Sequence, residues 1–342
     1  MKTLVLKISV LLLTFQIFSG QRSAAQFIPA SPPIADPADQ RFHNVTEDLT
    51  TPSLSTSSLH PVAPLFGYIN DNDAYTVDFL QLQWRFGDPL DLYVIKPKVV
   101  KNPPVILYLY GYPAGTDRFK DEAFQEKVTK DGFAAVGFVS ALTGHRYHDR
   151  PMREWFVSEL QESLAKSAHD IQLILNYLET RGDLDMSRVG MYAQGSGATI
   201  AILTSAVDPR IKVLDATDPW GDWPVWFAHS TFPPEDERAK YLTPDFLKKA
   251  ALLDPVDWLA RIQAKNFRLQ DATFETTTPK GAKEKLRSAV PAGSTVVIYK
   301  TAEDFNSVVR SKSELTWIEQ ELRSLPDAAP ARASLDQANP AK

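Results

Sequence analysis

Three observations predict an α/β fold with a mostly parallel central sheet flanked by helices. Short, near-continuous apolar runs at 104–110, 133–139, 188–192 and 211–214 read as strands covered on both faces rather than as half-exposed strands, which would alternate. Between them lie amphipathic stretches of helical period, and strands alternating with helices build βαβ units around a parallel sheet. The chain has 342 residues, 44% of them hydrophobic, enough to bury one large core.

Taken in order, the chain opens on Lys2 and Lys7 around an apolar run from Ile8 to Phe18, then small residues. This is the pattern of a secretory signal peptide over residues 1–25, with Ser23-Ala24-Ala25 as the cleavage site. The run falls short of the roughly 20 apolar residues of a spanning helix, so no membrane span is expected after cleavage. The chain lacks cysteine, which excludes a lipid-anchored amino terminus, disulfides and thiol catalysis, and secreted or periplasmic localisation follows as the expectation. Residues 26–64 are rich in Pro, Ser, Thr, Ala and Asp without periodicity, as an extended arm would be, and residues 326–342 have the same character of a frayed tail. A single domain is expected over 65–325.

Within that domain Thr76–Phe86 and Leu90–Lys96 suggest antiparallel strands ahead of the apolar runs. Helices are expected over Asp121–Lys130, Glu159–Thr180 and Ala198–Val207; in the long one Leu164, Ala168, Ile171, Leu175 and Leu178 recur at three- and four-residue steps and make one apolar face. Asn266–Asp271 and Ser294–Lys300 supply two further strands. The net charge is −5 with interspersed signs and no long basic run, which argues against nucleic acid as a partner.

The run RVGMYAQGSGATIA from Arg188 to Ala201 has the outline of a strand, a sharp turn and a helix start. Together with Pro104–Gly111, the helix Asp170–Leu178 and the turn Asp183–Gly190, it resembles the α/β-hydrolase superfamily over most of residues 65–325, in the flavour of its secreted esterase and dipeptidyl-peptidase-like branch. The resemblance implies an α/β-hydrolase fold, a nucleophile at the apex of the elbow G-x-S-x-G, an acid after a later strand and a histidine after the last. Aligned on Val189-Gly190 and Ala198–Ala201, the flanks are Ala193 and Gly197 and the apex is Gly195, which has no side chain to attack with. Sliding the motif by one nominates Ser196 as an alternative nucleophile, at the expense of a bulky Gln194 at a close-packed flank.

The loop after the Asn266 strand puts Glu275 where the acid would stand, and Asp304 follows the final strand where relatives place the histidine; no histidine occurs after His229. The triad is therefore expected to be degenerate at Gly195, Glu275 and Asp304. Upstream, His145 and His148 lie on a loop with Arg146, Asp149 and Arg150, a set whose positive charge opposes a metal and suits structural hydrogen bonds or an anion contact. His169 is expected mid-helix, on the helix surface or at an interface. The segment Asp215–Ser230 carries Trp220, Trp223, Trp226 and Phe227, where this superfamily inserts a cap, here about 218–250. Those rings read either as core packing beneath the cap or as an aromatic wall over the site, with Asp218 and Asp222 as polar contacts for a small-molecule, saccharide or peptide ligand.

Tyr110, Gly111 and Tyr112 on the first core loop, His145, and Trp220, Trp223 and Trp226 are thus the candidate binding residues. No cofactor or metal is implied. The sequence points to a hydrolase-like protein that has lost serine chemistry and keeps its pocket, with an active esterase or peptidase using Ser196 as the alternative.

Overall fold

The computed structural model describes residues 64–83, 89–142, 160–311 and 313–326. The proposed signal segment, most of the arm, the tail and the loop bearing His145 and His148 lie outside the described residues. The described strands form one nine-stranded sheet in the order β1-β2-β3-β5-β4-β6-β7-β8-β9. β1 (Leu65–Asp71), β2 (Tyr75–Leu82) and β3 (Leu90–Pro97) are successive antiparallel neighbours, and β3 also runs antiparallel to β5 (Ala134–Phe138). From β5 onward through β4 (Pro104–Leu109), β6 (Asp185–Gln194), β7 (Ile211–Thr217), β8 (Asn266–Ala272) and β9 (Thr295–Tyr299), every neighbour is parallel.

The apolar runs behave as their composition requires. Every residue of β4 and of β5 is buried, because helices cover both faces there. On one face α2 (Leu160–Arg181) and α3 (Ser196–Ser205) pack with Leu107, Val136 and Met191. On the other, α1 (Glu122–Thr129) contributes Val128, and α10 (Thr316–Ser324) sets Ile318 and Leu322 against Ile106, Tyr108 and Tyr192. β1 lies at the sheet edge with all seven residues exposed, and its register slips between Phe66 and Tyr68.

Crosslinks of charge tie the antiparallel end to the parallel core. Arg181, at the end of α2, donates to Asp78 of β2 at 2.8 Å and to Asp183 at 3.0 Å, while Lys96 of β3 reaches Asp183 at 2.6 Å. Burial alone would raise the Asp183 carboxyl, but the hydrogen bonds from Arg181 and Lys96 outweigh it and hold the group at about 2. At the sheet centre Asp215, wholly buried, accepts both arms of Arg268 at 2.9 and 2.6 Å and the Gln270 amide at 2.8 Å. Burial pushes the Asp215 carboxyl up, and the Arg268 guanidinium opposes that rise.

The segment between β7 and β8 is helical. α4 (Trp223–His229), α5 (Arg238–Tyr241), α6 (Pro244–Ala251) and α7 (Pro255–Leu259) follow in short succession. The β8–β9 crossover is α8 (Lys280–Ala289), and α9 (Ala302–Arg310) leaves β9. His169 lies within α2 and is 3% exposed, which rules out the helix surface and leaves the packed side of that helix.

Candidate functional site

A parallel sheet delivers its loops to the carboxyl edge, and that edge holds a cavity of about 560 Å³. Five strands supply its wall. Gly111, Tyr112 and Pro113 follow β4; Gln194 and Gly195 end β6; Thr217, Asp218 and Trp220 end β7; Ala272, Phe274 and Glu275 end β8; and Ala302, Phe305 and Asn306 follow β9. Phe232, Thr277 and Thr278 close it from the cap and the β8 loop.

At the centre is the turn between β6 and α3. Gly195 sits there at φ 54°, ψ −126°, a left-handed conformation that is costly for a residue with a side chain. Its neighbours are pressed close. A Cβ at Gly111 would stand 2.8 Å from the Gln194 carbonyl oxygen, and one at Gly197 would stand 2.4 Å from that of Leu109, so both positions must be bare for β4 to pass the turn. The strained apex and the small flanks are the geometry of a nucleophile elbow, with glycine where the nucleophile belongs.

Ser196 follows it directly. Its side chain is fully buried and its Oγ accepts a hydrogen bond from the Tyr112 N–H at 2.9 Å, facing into the β4 loop instead of the cavity. Above the apex the nearest side-chain atom to a Cβ built on Gly195 is the Trp220 Nε1, at 3.6 Å. Trp220 is fixed by a reciprocal pair: its N–H donates to the Thr199 hydroxyl at 2.9 Å, and that hydroxyl donates to the Trp220 carbonyl at 2.7 Å.

Asp218 takes a left-handed conformation, φ 48°, as the chain leaves β7. The turn aims its carboxylate at the end of β8, where Oδ1 accepts from the Ala272 N–H and from the Lys283 ammonium, each at 2.9 Å. Burial raises the Asp218 carboxyl; Lys283 opposes the rise, and the negative charge of Glu275 adds to it. Glu275 itself is exposed on the cavity wall, in a turn closed by its N–H on the Ala272 carbonyl at 2.9 Å.

The other sequence-derived positions divide. Gly111, Tyr112 and Trp220 line the cavity with Gly195 and Glu275, as a shared site requires. Trp223 and Trp226 do not: both are 0% exposed and belong to the core. Trp223 is locked there by its indole on the Leu253 carbonyl at 3.2 Å and by Asp254, whose carboxylate accepts the Asp222 and Trp223 N–H groups at 2.9 Å each. The aromatic segment is therefore mainly core packing, with Trp220 as its cavity-facing member. Asp222 points away likewise and pairs with Lys285 at 2.8 Å.

Tyr110 is 8% exposed and packs on the opposite face, beneath the Arg118 guanidinium, 3.5 Å from its ring centre. Asp304 is exposed in the first turn of α9, where it exchanges hydrogen bonds with Thr301 in a capping box; Ala302, Phe305 and Asn306 are the cavity residues of that segment. His229 ends α4, exposed and away from the lining. His145 lies outside the described residues. Among the described residues no group of three or more His, Cys, Asp or Glu could hold a metal, and no helix is long and apolar enough to cross a membrane.

Sequence reasoning missed Thr217, Phe232, Phe274, Phe305 and Asn306. Thr217 and Phe274 had a signal, since each sits at or just beyond a strand's carboxyl end; Phe232 reaches the cavity only through the path of the cap.

No family model matches the chain. It is similar to YtaP of Bacillus subtilis (strain 168), named as a hydrolase, with 25% identity over 165 residues that cover 42% of this chain and 53% of the relative. The match thus spans about half the length of that protein. Among solved structures it is similar to acetyl xylan esterase 1 from a Thermoanaerobacterium species, at TM-score 0.59 and 13% identity, covering 76% of this chain and 89% of that one. It is also similar to the acylaminoacyl peptidase of Pyrococcus horikoshii, at TM-score 0.58 and 15% identity, covering 75% of this chain and 44% of that one.

Proposed function

We propose that this chain, which has the α/β-hydrolase fold, keeps the hydrolase pocket and works as a binding protein without serine-hydrolase chemistry. The observation that carries the reading is Gly195: the elbow retains its strained backbone and its close-packed flanks, yet its apex has no nucleophile. A pocket that has lost its attacking group but keeps a cavity of about 560 Å³ retains binding as its remaining use. The enzymes with similar structures are named for acetyl xylan and for acylaminoacyl substrates, and a saccharide or peptide is accordingly among the ligand classes to screen. Export through residues 1–25 is part of the same proposal, and amino-terminal sequencing of the protein from the outer compartment tests it.

The decisive experiment exposes the protein to a fluorophosphonate probe and to activated acetate esters, beside a heat-denatured control. No labelling and no turnover above the control are expected. Labelling mapped to Ser196 would overturn the reading and establish a hydrolase with a displaced triad.

A further inference from the structure

The cavity has an aromatic and electrostatic bias that the loss of a nucleophile does not explain. Trp220, Phe232 and Tyr112 form a run of rings along one wall, with successive centres 5.2 and 5.3 Å apart. Phe274 and Phe305, 6.3 Å apart, stand in the lining contributed by the β8 and β9 loops. Two carboxylates, Asp218 and Glu275, share the cavity, and its described lining contains no lysine, arginine or histidine.

The charge behind the wall decides which carboxylate is available. Lys283 lies 2.9 Å from Asp218 and 3.4 Å from Asp271, and Arg287 pairs with Asp271. Two acids and two bases neutralise one another there. Glu275 is left over: among the described residues no cation lies within ion-pair distance of it, and it is exposed on the cavity wall. A further polar group waits in the same lining. Thr217 is 4% exposed, and its hydroxyl has no hydrogen-bond partner among the described residues.

We propose, on the reading that the cavity binds rather than hydrolyses, that its ligand carries an organic ammonium group, seated among Trp220, Tyr112, Phe232 and Phe274 with Glu275 as its counter-charge. Ring faces attract a cation through their quadrupoles, and an unpaired carboxylate at the rim adds to the same potential. An anionic ligand would meet Glu275 with no described lining cation to offset it. A neutral ligand would leave the carboxylate unused.

The test compares choline with 3,3-dimethylbutan-1-ol, which has the same shape and no charge, and with acetate, each titrated against the tryptophan emission of the wild-type protein and of Glu275→Gln. Glu275 is an exposed loop residue, so the substitution leaves folding intact, which circular dichroism checks. Choline is expected to give a saturable change, the neutral alcohol to bind about tenfold more weakly, and Glu275→Gln to weaken choline about tenfold while leaving the alcohol unchanged. Binding of the alcohol as tight as that of choline, or binding of choline insensitive to Glu275→Gln, would overturn the ammonium assignment and leave the binding reading in place. Saturable binding of acetate alone would do the same. No response to any of the three would also overturn it, while the fluorophosphonate experiment separately decides whether the site is catalytic.

Discussion

Gly195→Ala and Gly195→Ser isolate the energetic cost of the elbow from the question of chemistry. A Cβ on Gly195 meets the Gly111 Cα and the Trp220 Nε1 at 3.6 Å each, ordinary van der Waals contact, so the space for a side chain is already present. What remains is the backbone. At φ 54°, ψ −126° a residue with a side chain costs about 1–3 kcal/mol, against a total stability of roughly 5–15 kcal/mol for a domain. Because the penalty is conformational, alanine and serine should cost the same to within about 0.5 kcal/mol. Urea unfolding followed by tryptophan emission measures both, with an unchanged m-value showing that the denatured state is the same. Neither variant should hydrolyse activated esters, since no histidine is placed among the described cavity residues to serve a new hydroxyl. Two results would refute the reasoning: an alanine variant as stable as wild type, meaning that the apex is unstrained in solution, or a serine variant far less stable than alanine, meaning that the space above Gly195 is closed.

Trp226→Ala should cost about 3–5 kcal/mol, because the side chain is 0% exposed among Trp220, Trp223 and Phe227, whereas a polar variant of Asn306 on the cavity rim should be near neutral; chemical denaturation of both reads the contrast. The Asp183 network predicts acid sensitivity. Its carboxyl is lowered from 3.8 to about 2 in the folded state, so the stabilisation is fully present above about pH 4 and is lost as pH falls toward 2. Allowing for its partial exposure the loss is about 1–2 kcal/mol, and Asp183→Asn should flatten that part of the stability–pH curve measured by urea titration at each pH.

The fold was legible because burial on both faces writes itself into composition. Pro104–Leu109 and Ala134–Phe138 are continuous apolar runs for that reason, and helical period marked the carboxyl end of α2 to within a residue. β6 proved longer than its apolar part, beginning at Asp185, since its first residues are polar and only the second half is fully covered. The elbow was legible at Gly195 through the small residues that its tight turn demands. The role of the tryptophans was not, because a ring that packs under a cap and a ring that lines a cavity have the same spacing; only three-dimensional placement separates Trp220 from Trp223 and Trp226. Asp304 shows the same limit. Its place after the last strand marks the segment, but the first turn of α9 turns Ala302 and Asn306, not Asp304, into the lining.

The hydrogen bond from the Tyr112 N–H to the Ser196 hydroxyl bears on what acyl-transfer chemistry at this turn would demand. In an acyl-transfer pocket a backbone N–H from this loop is held open for the negative oxygen that forms during reaction. Here that donor already has a neutral, permanent acceptor. On the proposed binding reading, serine hydrolysis would need a nucleophile at 195, a base on the α9 segment and release of the Tyr112 N–H by a change at Ser196. None of the three is rewarded without the others, because the parts of such a site act as a unit. On the proposed binding reading, a change to serine chemistry would cross two intermediate sequences with nothing for selection to favour, and any side chain at 195 would carry the strain of the apex in the meantime.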